Sequence, residues 1–375
     1  MSKVSKAEII DIIRLIRSEN VGVKTFWHLV TLYKNAGNAL EHIANLSIRG
    51  GKDKPIKIYP KAQAEEEIAT CESRGVKILT YLDYDFPLLL KSIDDCPPLL
   101  FCLGNTSLLN GKTIAIVGSR NASANGLRFA YKIAKNLAEK NQVVVSGFAR
   151  GIDNAAHKAS IDHATIAVLA GGVDHIYPPE HEDLYHEIVE RGLVVAELPL
   201  GSIPKAQNFP QRNRIISGIS NGVAVIEASL KSGSLITAKF AIQQNRDVFA
   251  VPGFPLDPRY QGNNYLLKQG AHLLESAEDI LDVTDSPLIR VASLLEQKKK
   301  FVSPPKIPLK TDFTEKELTQ ARIELINLIG TSPTSVDEII SITQFPVGLV
   351  LTIIVELELS GRVIRHFGNK ISVNL

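Results

Sequence analysis

Short motifs of glycine, serine and arginine recur between residues 118 and 253, each at a point where an apolar, strand-like segment ends. They combine small residues, which let a backbone approach a ligand closely, with guanidinium groups, which bind phosphate through paired hydrogen bonds. Parallel sheets bind ligands at the carboxyl ends of their strands, so we expect a phosphate-facing site at one edge. The motifs are Gly118-Ser119-Arg120, Gly147 with Arg150-Gly151, Ala170-Gly171-Gly172, Phe209 to Arg214, Ser232-Gly233-Ser234 and Val251-Pro252-Gly253.

The segment that begins at Phe209 is the most informative of these motifs. It places an aromatic ring beside Arg212 and Arg214, and Lys205 lies just upstream. Single-stranded nucleic acid requires a ring on which a base can stack and cations that follow the phosphate backbone. The segment therefore predicts a site for single-stranded nucleic acid. The plainer interpretation, with the ring in a core and the arginines in solvated ion pairs, stays open.

Ser232, Gly233 and Ser234 come just before a helical segment. Their amide and hydroxyl groups would line a helix N-terminus, where anions are favoured, so this turn is a candidate anion-binding turn. An ordinary serine cap with a glycine in the turn explains it equally well.

Signals for catalysis or metal binding are weaker. The chain has neither a Walker A loop nor a GxGxxG fingerprint. Asp153 and His157 lie one helical turn apart and suit acid–base work, but contacts at a helix start explain them as well. His175, His181 and His186 lack the neighbours that would complete a metal site. We therefore expect no catalytic residue, no metal and no cofactor.

Length and composition favour a multidomain cytoplasmic protein. A chain of 375 residues exceeds what one core usually holds, and its net charge of +2 leaves any basic surface to local clustering. Its three cysteines form no CxxC pair, which favours a reducing compartment. No leader segment opens the chain, and the longest apolar run, residues 345–355, is too short to cross a bilayer, so neither secretion nor a membrane is expected.

The pattern of apolar residues predicts four segments: a helical domain over residues 1–84, an α/β domain over 85–284, a Lys- and Pro-rich linker over 285–313, and a last domain over 314–375. Helical periodicity runs from Ala7 to about Tyr81. The turn Asn20-Val21-Gly22-Val23 resembles that of a helix-hairpin-helix, which offers backbone N–H groups to phosphate, although it carries only one of the two usual glycines.

Strands and helices alternate in the central domain. The strand candidates are near-continuous apolar runs, as expected of strands buried on both faces, so we predict a doubly wound, mostly parallel sheet. The predicted strands are residues 113–117, 143–146, 165–169, 194–197, 223–227 and 247–251, and the predicted helices are residues 124–140, 154–161, 181–191 and 235–244.

The last domain reads as a winged helix. Helices near residues 317–329, 335–340 and 346–359 precede two short strands at 363–366 and 370–373. The third helix contains no Lys or Arg and carries Glu356 and Glu358, so we expect it to serve in packing or protein contact and not in DNA binding.

Read together, the central motifs closely resemble the DNA-processing protein A (DprA/Smf) family, in the family's order, over about residues 87–281. The matching stretches are residues 116–120, 145–153, 156–157, 166–169, 174–178, 208–216, 232–238 and 248–253. The resemblance implies an extended Rossmann-like domain between an N-terminal helical domain of the SAM or helix-hairpin-helix type and a C-terminal winged helix. It also implies a cytoplasmic bacterial homodimer that binds single-stranded DNA and loads the recombinase RecA during DNA processing or natural transformation.

The resemblance further implies which residues line the DNA groove, and to these we add Lys205 from the residues themselves. The family positions are Gly118, Ser119, Arg120, Gly147, Gly151, Phe209, Arg212 and Arg214. Two positions depart from the family pattern: Asn125 stands where a tyrosine is frequent, and Pro179 where some members carry a basic group.

The alternative is an enzyme. Rossmann-like nucleoside-phosphate hydrolases of the lysine-decarboxylase-like type carry a similar glycine-rich strand end and release a base from a nucleotide. Their helix-entry turn brings a catalytic glutamate, whereas residues 232–240 of this chain contain no acidic residue. A binding protein is therefore the favoured interpretation.

Overall fold

The structure is a computed structural model that describes residues 4–163, 165–284, 313–366 and 368–374. These residues form two compact units. The α/β unit comprises the described residues from 69 to 284. The second unit comprises the two ends of the chain, up to residue 68 and from residue 313 onward. Along the ranges described, no helix is both long and apolar enough to cross a membrane.

The α/β unit is built on one sheet, which has nine strands among the described residues, in the order β1-β2-β6-β5-β4-β3-β7-β8-β9. Strands β3 to β9 pair in parallel, while β1 and β2 run antiparallel at one side. The strands are β1 Lys77–Thr80, β2 Leu99–Gly104, β3 Thr113–Val117, β4 Val143–Ser146, β5 Thr165–Val168, β6 Leu193–Ala196, β7 Gly222–Val225, β8 Asp247–Ala250 and β9 His272–Leu273.

Helices cover both faces of this sheet and form most of the second unit. In chain order they are α1 Lys6–Arg17, α2 Val23–Tyr33, α3 Ala36–Arg49, α4 Lys61–Ser73, α5 Leu88–Lys91, α6 Ala124–Glu139, α7 Ile152–Ser160, α8 Glu182–Arg191, α9 Asn208–Gly218, α10 Gly233–Gln243, α11 Gln261–Lys268, α12 Ala277–Thr284, α13 Glu315–Leu328, α14 Val336–Thr343 and α15 Val347–Leu359.

Helix α6 illustrates why these segments fold as they do. Ser123 caps its first turn by accepting a hydrogen bond from the amide of Gly126 at 3.0 Å. Ala130, Ile133, Ala134 and Leu137 then form a buried stripe at helical spacing, which packs into the core beneath β3, β4 and β7.

The predicted doubly wound, mostly parallel sheet is confirmed, and its central strands from β3 to β7 are buried at every position. The direction of chain progression reverses between β3 and β7, which makes the gap between their carboxyl ends the topological switch point.

Two expectations of local structure were wrong. Helical periodicity was expected as far as Tyr81, but Lys77–Thr80 forms β1 and pairs with β2, because a short apolar run has no distinguishing period. The motif from Phe209 to Arg214 is expected to follow the end of a strand as a loop, yet it forms the first half of α9. Pro210 obscured this helix, although proline is tolerated in a first helical turn.

The second unit contains the helices α1 to α3 and a winged helix. Helices α13 to α15 pack on a sheet of β10 Thr334–Ser335, β11 Val363–His366 and β12 Lys370–Val373, in the order β10-β12-β11. The expected winged helix is thus confirmed, while the exact domain boundaries stay a prediction. The predicted linker lies outside the described residues, except for its last residue, Phe313.

Candidate nucleic-acid interface

The first turns of α9 lie at the carboxyl ends of β4 and β5. The Arg212 Nη1 donates to the carbonyl oxygen of Gly147, directly after β4, and to that of Val168, the last residue of β5. Helix α9 connects β6 to β7, so it runs from the carboxyl edge of the sheet back to the amino edge. Its N-terminal residues, including Phe209, therefore lie at the edge where a ligand was expected.

Arg120 and Phe209 meet at this edge. The guanidinium carbon of Arg120 lies 5.2 Å from the centroid of the Phe209 ring, within the range of a cation–π contact. The Tyr177 ring meets Phe209 edge-on, with centroids 5.8 Å apart, and Tyr177 is half exposed. We call these three residues the arginine–aromatic cluster. Sequence reasoning did not name Tyr177 as a site residue. The signal that could have identified it is its position in the stretch 174–178, which matches the family.

The charge of Arg120 is available to a ligand. Its side chain is exposed, and no carboxylate of the described residues pairs with it. Beside the cluster, between Gly147, Gly171 and Phe209, lies a pocket of about 10 Å³, which is the space of a single water molecule. A ligand base would therefore lie on the cluster and not be enclosed by this pocket.

Helix α9 presents an uncapped N-terminus next to the cluster. Gln207, which precedes the helix, makes no side-chain capping bond, so the positive end of the helix dipole is not neutralised there. The exposed Lys205 adds a cation, and the Lys205 backbone N–H donates to Asn208 Oδ1 at 2.8 Å. The helix end and Lys205 both favour an anion.

Arg212 is buried, with 7% of its surface exposed, and belongs to the framework of the site. Burial lowers the pKa of its guanidinium to about 10, against the effect of the nearby Asp153, so Arg212 stays charged at neutral pH. Asp153 in turn accepts hydrogen bonds from the amides of Gly147 and Ala149 at 3.1 and 3.3 Å. Arg212 thus binds a carbonyl group of the loop after β4, and Asp153 binds amide groups of the same loop.

Arg214 points to different partners. Its guanidinium forms ion pairs with Asp95 at 3.3 Å and with Glu197 at 2.7 Å, and 6% of its side chain is exposed. Burial opposes the charge, but the two carboxylates outweigh it and raise the pKa of Arg214. A ligand phosphate could reach this guanidinium only by displacing buried ion pairs.

The three glycines predicted to line the groove let loops pack closely. Gly151 has a φ of +74°, and a Cβ there would lie 2.3 Å from the Ser119 carbonyl oxygen. A Cβ on Gly147 would meet Arg212 Nη1, and one on Gly118 would lie 2.6 Å from Ile152. The loops after β3 and β4 are therefore locked together, which fixes the backbone that carries Arg120.

The Ser232-Gly233-Ser234 turn begins α10. Ser232 Oγ accepts from the Ser234 amide at 3.3 Å, which is the expected serine cap, and Asn213 Nδ2 donates to the Gly233 carbonyl at 3.2 Å. The turn is thereby tied to α9, and Gly233 is exposed with open space around its Cα.

A carboxylate that sequence reasoning missed occupies the topological switch point. Glu227 is fully buried after β7 and accepts hydrogen bonds from Ser123 N at 2.9 Å, from Ser123 Oγ, and from Tyr260 Oη at 3.0 Å. Ser123 caps α6, the helix whose N-terminus would receive a phosphate in a dinucleotide-binding sheet. The side chain of Glu227 therefore occupies the place at the start of α6 where a phosphate would otherwise bind.

Asp153 and His157, the pair considered for acid–base work, do not contact each other's polar atoms in the described structure. His157 Nδ1 lies 2.7 Å from Thr165 Oγ1, whose own proton goes to the Val144 carbonyl, so His157 donates from Nδ1. Within the described ranges, no cluster of three or more His, Cys, Asp or Glu side chains is placed to hold a metal ion.

His157 is expected to make the α/β unit sensitive to acid. Burial, with the nearby His181 and Arg212, lowers its pKa from 6.5 to about 3, so the folded state binds fewer protons than the unfolded state between these values. The stabilisation that depends on neutral His157 is complete above the unfolded pKa and is lost as the pH falls towards the folded one, at up to about 1.4 kcal/mol per pH unit. Urea unfolding followed between neutral pH and about pH 4 should show this slope.

The His157→Gln variant should flatten that dependence, whereas replacement of the exposed His163 by Gln should leave it unchanged. An unaltered slope in His157→Gln would contradict the assignment of the acid sensitivity to this side chain.

The fold defines a Rossmann-like α/β protein with the arginine–aromatic cluster at the carboxyl edge of its sheet. Its central part matches the family model of DNA recombination-mediator protein A over residues 77–285. A DprA-like N-terminal HHH domain matches residues 6–70, and a DprA winged helix domain matches residues 310–369. The chain belongs to the DNA-processing protein A (DprA/Smf) family, as the resemblance implied.

Individual relatives agree with this membership. Protein Smf of Escherichia coli K12 is 37% identical over 306 residues, which cover 81% of this chain and 79% of the relative. DNA processing protein DprA of Bacillus subtilis 168 is 42% identical over 229 residues, covering 60% of this chain and 76% of the relative.

Two solved structures are similar. The X-ray structure of DprA from Streptococcus pneumoniae has a TM-score of 0.61 at 32% identity and covers 75% of this chain and 98% of that one. A structure of DNA processing protein A from Helicobacter pylori, described for its single-stranded DNA binding mode, has a TM-score of 0.51 at 28% identity and covers 56% of this chain and 94% of that one.

Proposed function

We propose that this protein binds single-stranded DNA along the carboxyl edge of its sheet, at the arginine–aromatic cluster and the N-terminus of α9. The observation that carries the proposal is the exposed Arg120 guanidinium, which has the Phe209 ring and no carboxylate of the described residues as its partner. An exposed cation next to a partly exposed ring offers one group to a phosphate and another to a base. The single-stranded DNA binding described for the H. pylori relative supports the same assignment.

The shape of the site favours a single strand over a duplex. Bases in a duplex are stacked on one another and cannot lie flat on a protein ring, whereas a single strand exposes its bases to Phe209 and Tyr177. Binding of this type depends little on sequence and strongly on salt, because phosphate contacts release counterions.

The predicted residues then divide into two groups. Arg120 and Lys205 contact phosphate, Phe209 stacks with a base, and the Ser232-Gly233-Ser234 turn, in which Gly233 is exposed, is a further candidate for an anion. Gly118, Ser119, Gly147 and Gly151 set the course of the backbone, and Arg212 holds the loop from beneath. Arg214 stabilises the fold through Asp95 and Glu197.

Substitution of Arg120 tests this proposal directly. Arg120→Ala should weaken binding to all single-stranded sequences alike and reduce the slope of log K against log salt by about 0.7, the value for one phosphate contact on a single strand. Phe209→Ala should cost about 1–3 kcal/mol of binding free energy with little change in slope. Fluorescence anisotropy titrations with labelled oligonucleotides at several salt concentrations measure both quantities.

Arg191→Ala is the matched control, because Arg191 is paired with Asp162 and lies just before β6, at the opposite edge of the sheet. It should change neither affinity nor slope. Equal affinity for a duplex of the same length, or an effect of Arg191→Ala as large as that of Arg120→Ala, would refute the proposed site.

We also propose that the protein acts as a cytoplasmic homodimer that promotes loading of RecA onto the bound strand. Family membership supports this proposal. The rate of RecA filament formation on single-stranded DNA, compared with and without the protein, tests it. An Arg120→Ala variant should lose any acceleration in proportion to its loss of DNA affinity.

The alternative, a hydrolase that releases a base from a nucleoside phosphate, has less support. Residues 232–240 contain no acidic residue, and the buried Glu227 occupies the helix N-terminus where a nucleotide phosphate would bind. Release of free base from nucleoside monophosphates, lost in Asp153→Ala, would favour the hydrolase instead.

A further inference from the structure

The third helix of the winged helix, α15, is covered on two sides. Ile353, Ile354 and Leu357 pack into the core that α15 shares with α13, α14 and the small sheet. Another side, which is flanked by Glu356 and Glu358, packs against α2 and α3 within the same compact unit. A recognition helix that reads DNA presents its outer side to a groove, and here that side contacts protein.

Two glutamates of α15 lie between the N-terminal helices and the rest of the winged helix. Glu356 is fully buried, with its Oε1 3.2 Å from Arg49 Nε at the end of α3 and its Oε2 2.7 Å from Arg322 Nη2 of α13. Each of its oxygens thus faces a cation from a different domain.

Glu358 also has one partner among the N-terminal helices and one in the winged helix. It is 5% exposed, accepts a hydrogen bond from Thr25 Oγ1 of α2 at 3.0 Å, and pairs with Arg365 of β11. Buried carboxylates are stable only when they are paired, so removal of the N-terminal helices would leave each glutamate short of one partner.

The turn between α1 and α2 contacts the end of the same helix. Asn20 Nδ2 donates to the Leu359 carbonyl at 3.0 Å, and Lys24 Nζ lies 3.4 Å from Asn369 Oδ1 in the wing. This is the turn that resembles a helix-hairpin-helix turn and would offer its backbone to phosphate. The winged helix contacts Asn20 and Lys24 on either side of this turn, while Gly22 itself stays exposed.

We propose that α15 and the wing are a docking surface for the protein's own N-terminal helices, and that this contact closes the third helix to nucleic acid. The two ends of the chain then unfold as one cooperative unit. DNA contact is left to the α/β unit. Charge complementarity supports this partner, because Glu356 of α15 meets Arg49 of α3, whereas a DNA backbone would be repelled there.

Gly50 offers a specific test. It follows α3 with φ −68° and ψ −6°, a conformation that alanine adopts without strain. A Cβ at this position would lie 2.0 Å from the Glu356 carbonyl oxygen, a backbone atom that cannot rotate away. Gly50→Ala therefore disturbs the contact with α15 and leaves the backbone of α3 itself unstrained.

The experiment compares Gly50→Ala with Gly22→Ala in the full chain by hydrogen exchange and by fluorescence-detected urea unfolding. Gly22 is the matched control, because a Cβ there meets nothing within 4 Å. The single tryptophan, Trp27 on α2, reports on the N-terminal helices alone. In Gly50→Ala we expect amide exchange to become at least about fivefold faster both near residues 20–26 and in residues 353–359. The control should change neither segment comparably.

Acceleration confined to the N-terminal segment would overturn the proposal, as would identical behaviour of the two variants. Should Gly50→Ala fail to fold, a cycle of Thr25→Val and Glu358→Gln tests the same contact. Non-additive effects of the pair on the Trp27 transition support docking, and additive effects refute it.

Exchange measured with saturating single-stranded DNA separates this inference from the proposed function. DNA should not slow exchange in residues 353–359, and protection there would overturn the closure of the third helix. Absence of protection at residues 118–120 and 205–212 would count against the proposed DNA site and leave the docking contact to be decided by Gly50→Ala.

Discussion

Replacement of Arg212 by alanine should lower the free energy of unfolding of the α/β unit by about 3–5 kcal/mol. The guanidinium is 7% exposed and donates to the carbonyl oxygens of Gly147 and Val168. Its loss leaves two buried acceptors without a donor, and leaves the buried Asp153 without the opposite charge near it. Urea unfolding followed by far-ultraviolet circular dichroism measures this loss.

The DNA-binding behaviour of Arg212→Ala should differ from that of Arg120→Ala. Affinity should fall because the loop after β4 is no longer held in place, while the salt slope should stay as in the unaltered protein, since a framework residue contributes no phosphate contact. Arg212→Lys keeps the charge but loses the planar pair of donors. Its free energy of unfolding should therefore lie between those of the unaltered protein and Arg212→Ala. A reduced salt slope with unchanged stability would show that Arg212 contacts the DNA directly.

Arg214→Ala should destabilise the α/β unit by a similar amount, about 3–5 kcal/mol, through a different set of contacts. Its removal leaves Asp95 and Glu197 without their shared counter-charge, in a site where the arginine side chain is 6% exposed. We expect the unfolding transition to move to lower urea concentration, with DNA affinity unchanged under conditions where the variant is fully folded.

A partial rescue provides the control for Arg214. The same replacement in a Glu197→Gln background should cost less, because one of the two stranded carboxylates is gone. Additive losses in the double variant would contradict the proposed ion-pair role, as would a large fall in DNA affinity in a folded Arg214→Ala protein.

Sequence reasoning predicted which candidate residues lie together at one edge of the sheet better than the direction of their side chains. Apolar runs that end in glycine and arginine motifs identify the carboxyl edge of a parallel sheet, because such strands must be buried and their ends must meet. This placed Arg120 and Phe209 at one edge, where the structure brings them within 5.2 Å.

The roles of Arg212 and Arg214 required knowledge of α9. Consecutive residues on a helix point about 100° apart, so Arg212 turns to β4 and β5, Asn213 to α10, and Arg214 to Asp95 and Glu197. A segment taken for a loop carries no such directions, and Pro210 concealed the helix.

Long-range contacts left no local signal at all. Glu227 reads as one more residue at a strand end, and only the fold brings it to Ser123 and Tyr260. Similarly, the absence of Lys and Arg from α15 indicated a role in packing, but nothing near Glu358 in the sequence points to Thr25, which is 333 residues away.

The separation of Thr25 and Glu358 along the chain has a consequence for the synthesis of the protein. A ribosome adds about 5–20 residues per second, so α2 emerges roughly 17–67 s before the helix that covers it has been made. During this interval the nascent chain carries an exposed surface that only its own last residues can cover. A chain that stalls before α15 keeps this surface open, which marks it for chaperones and proteases as unfinished.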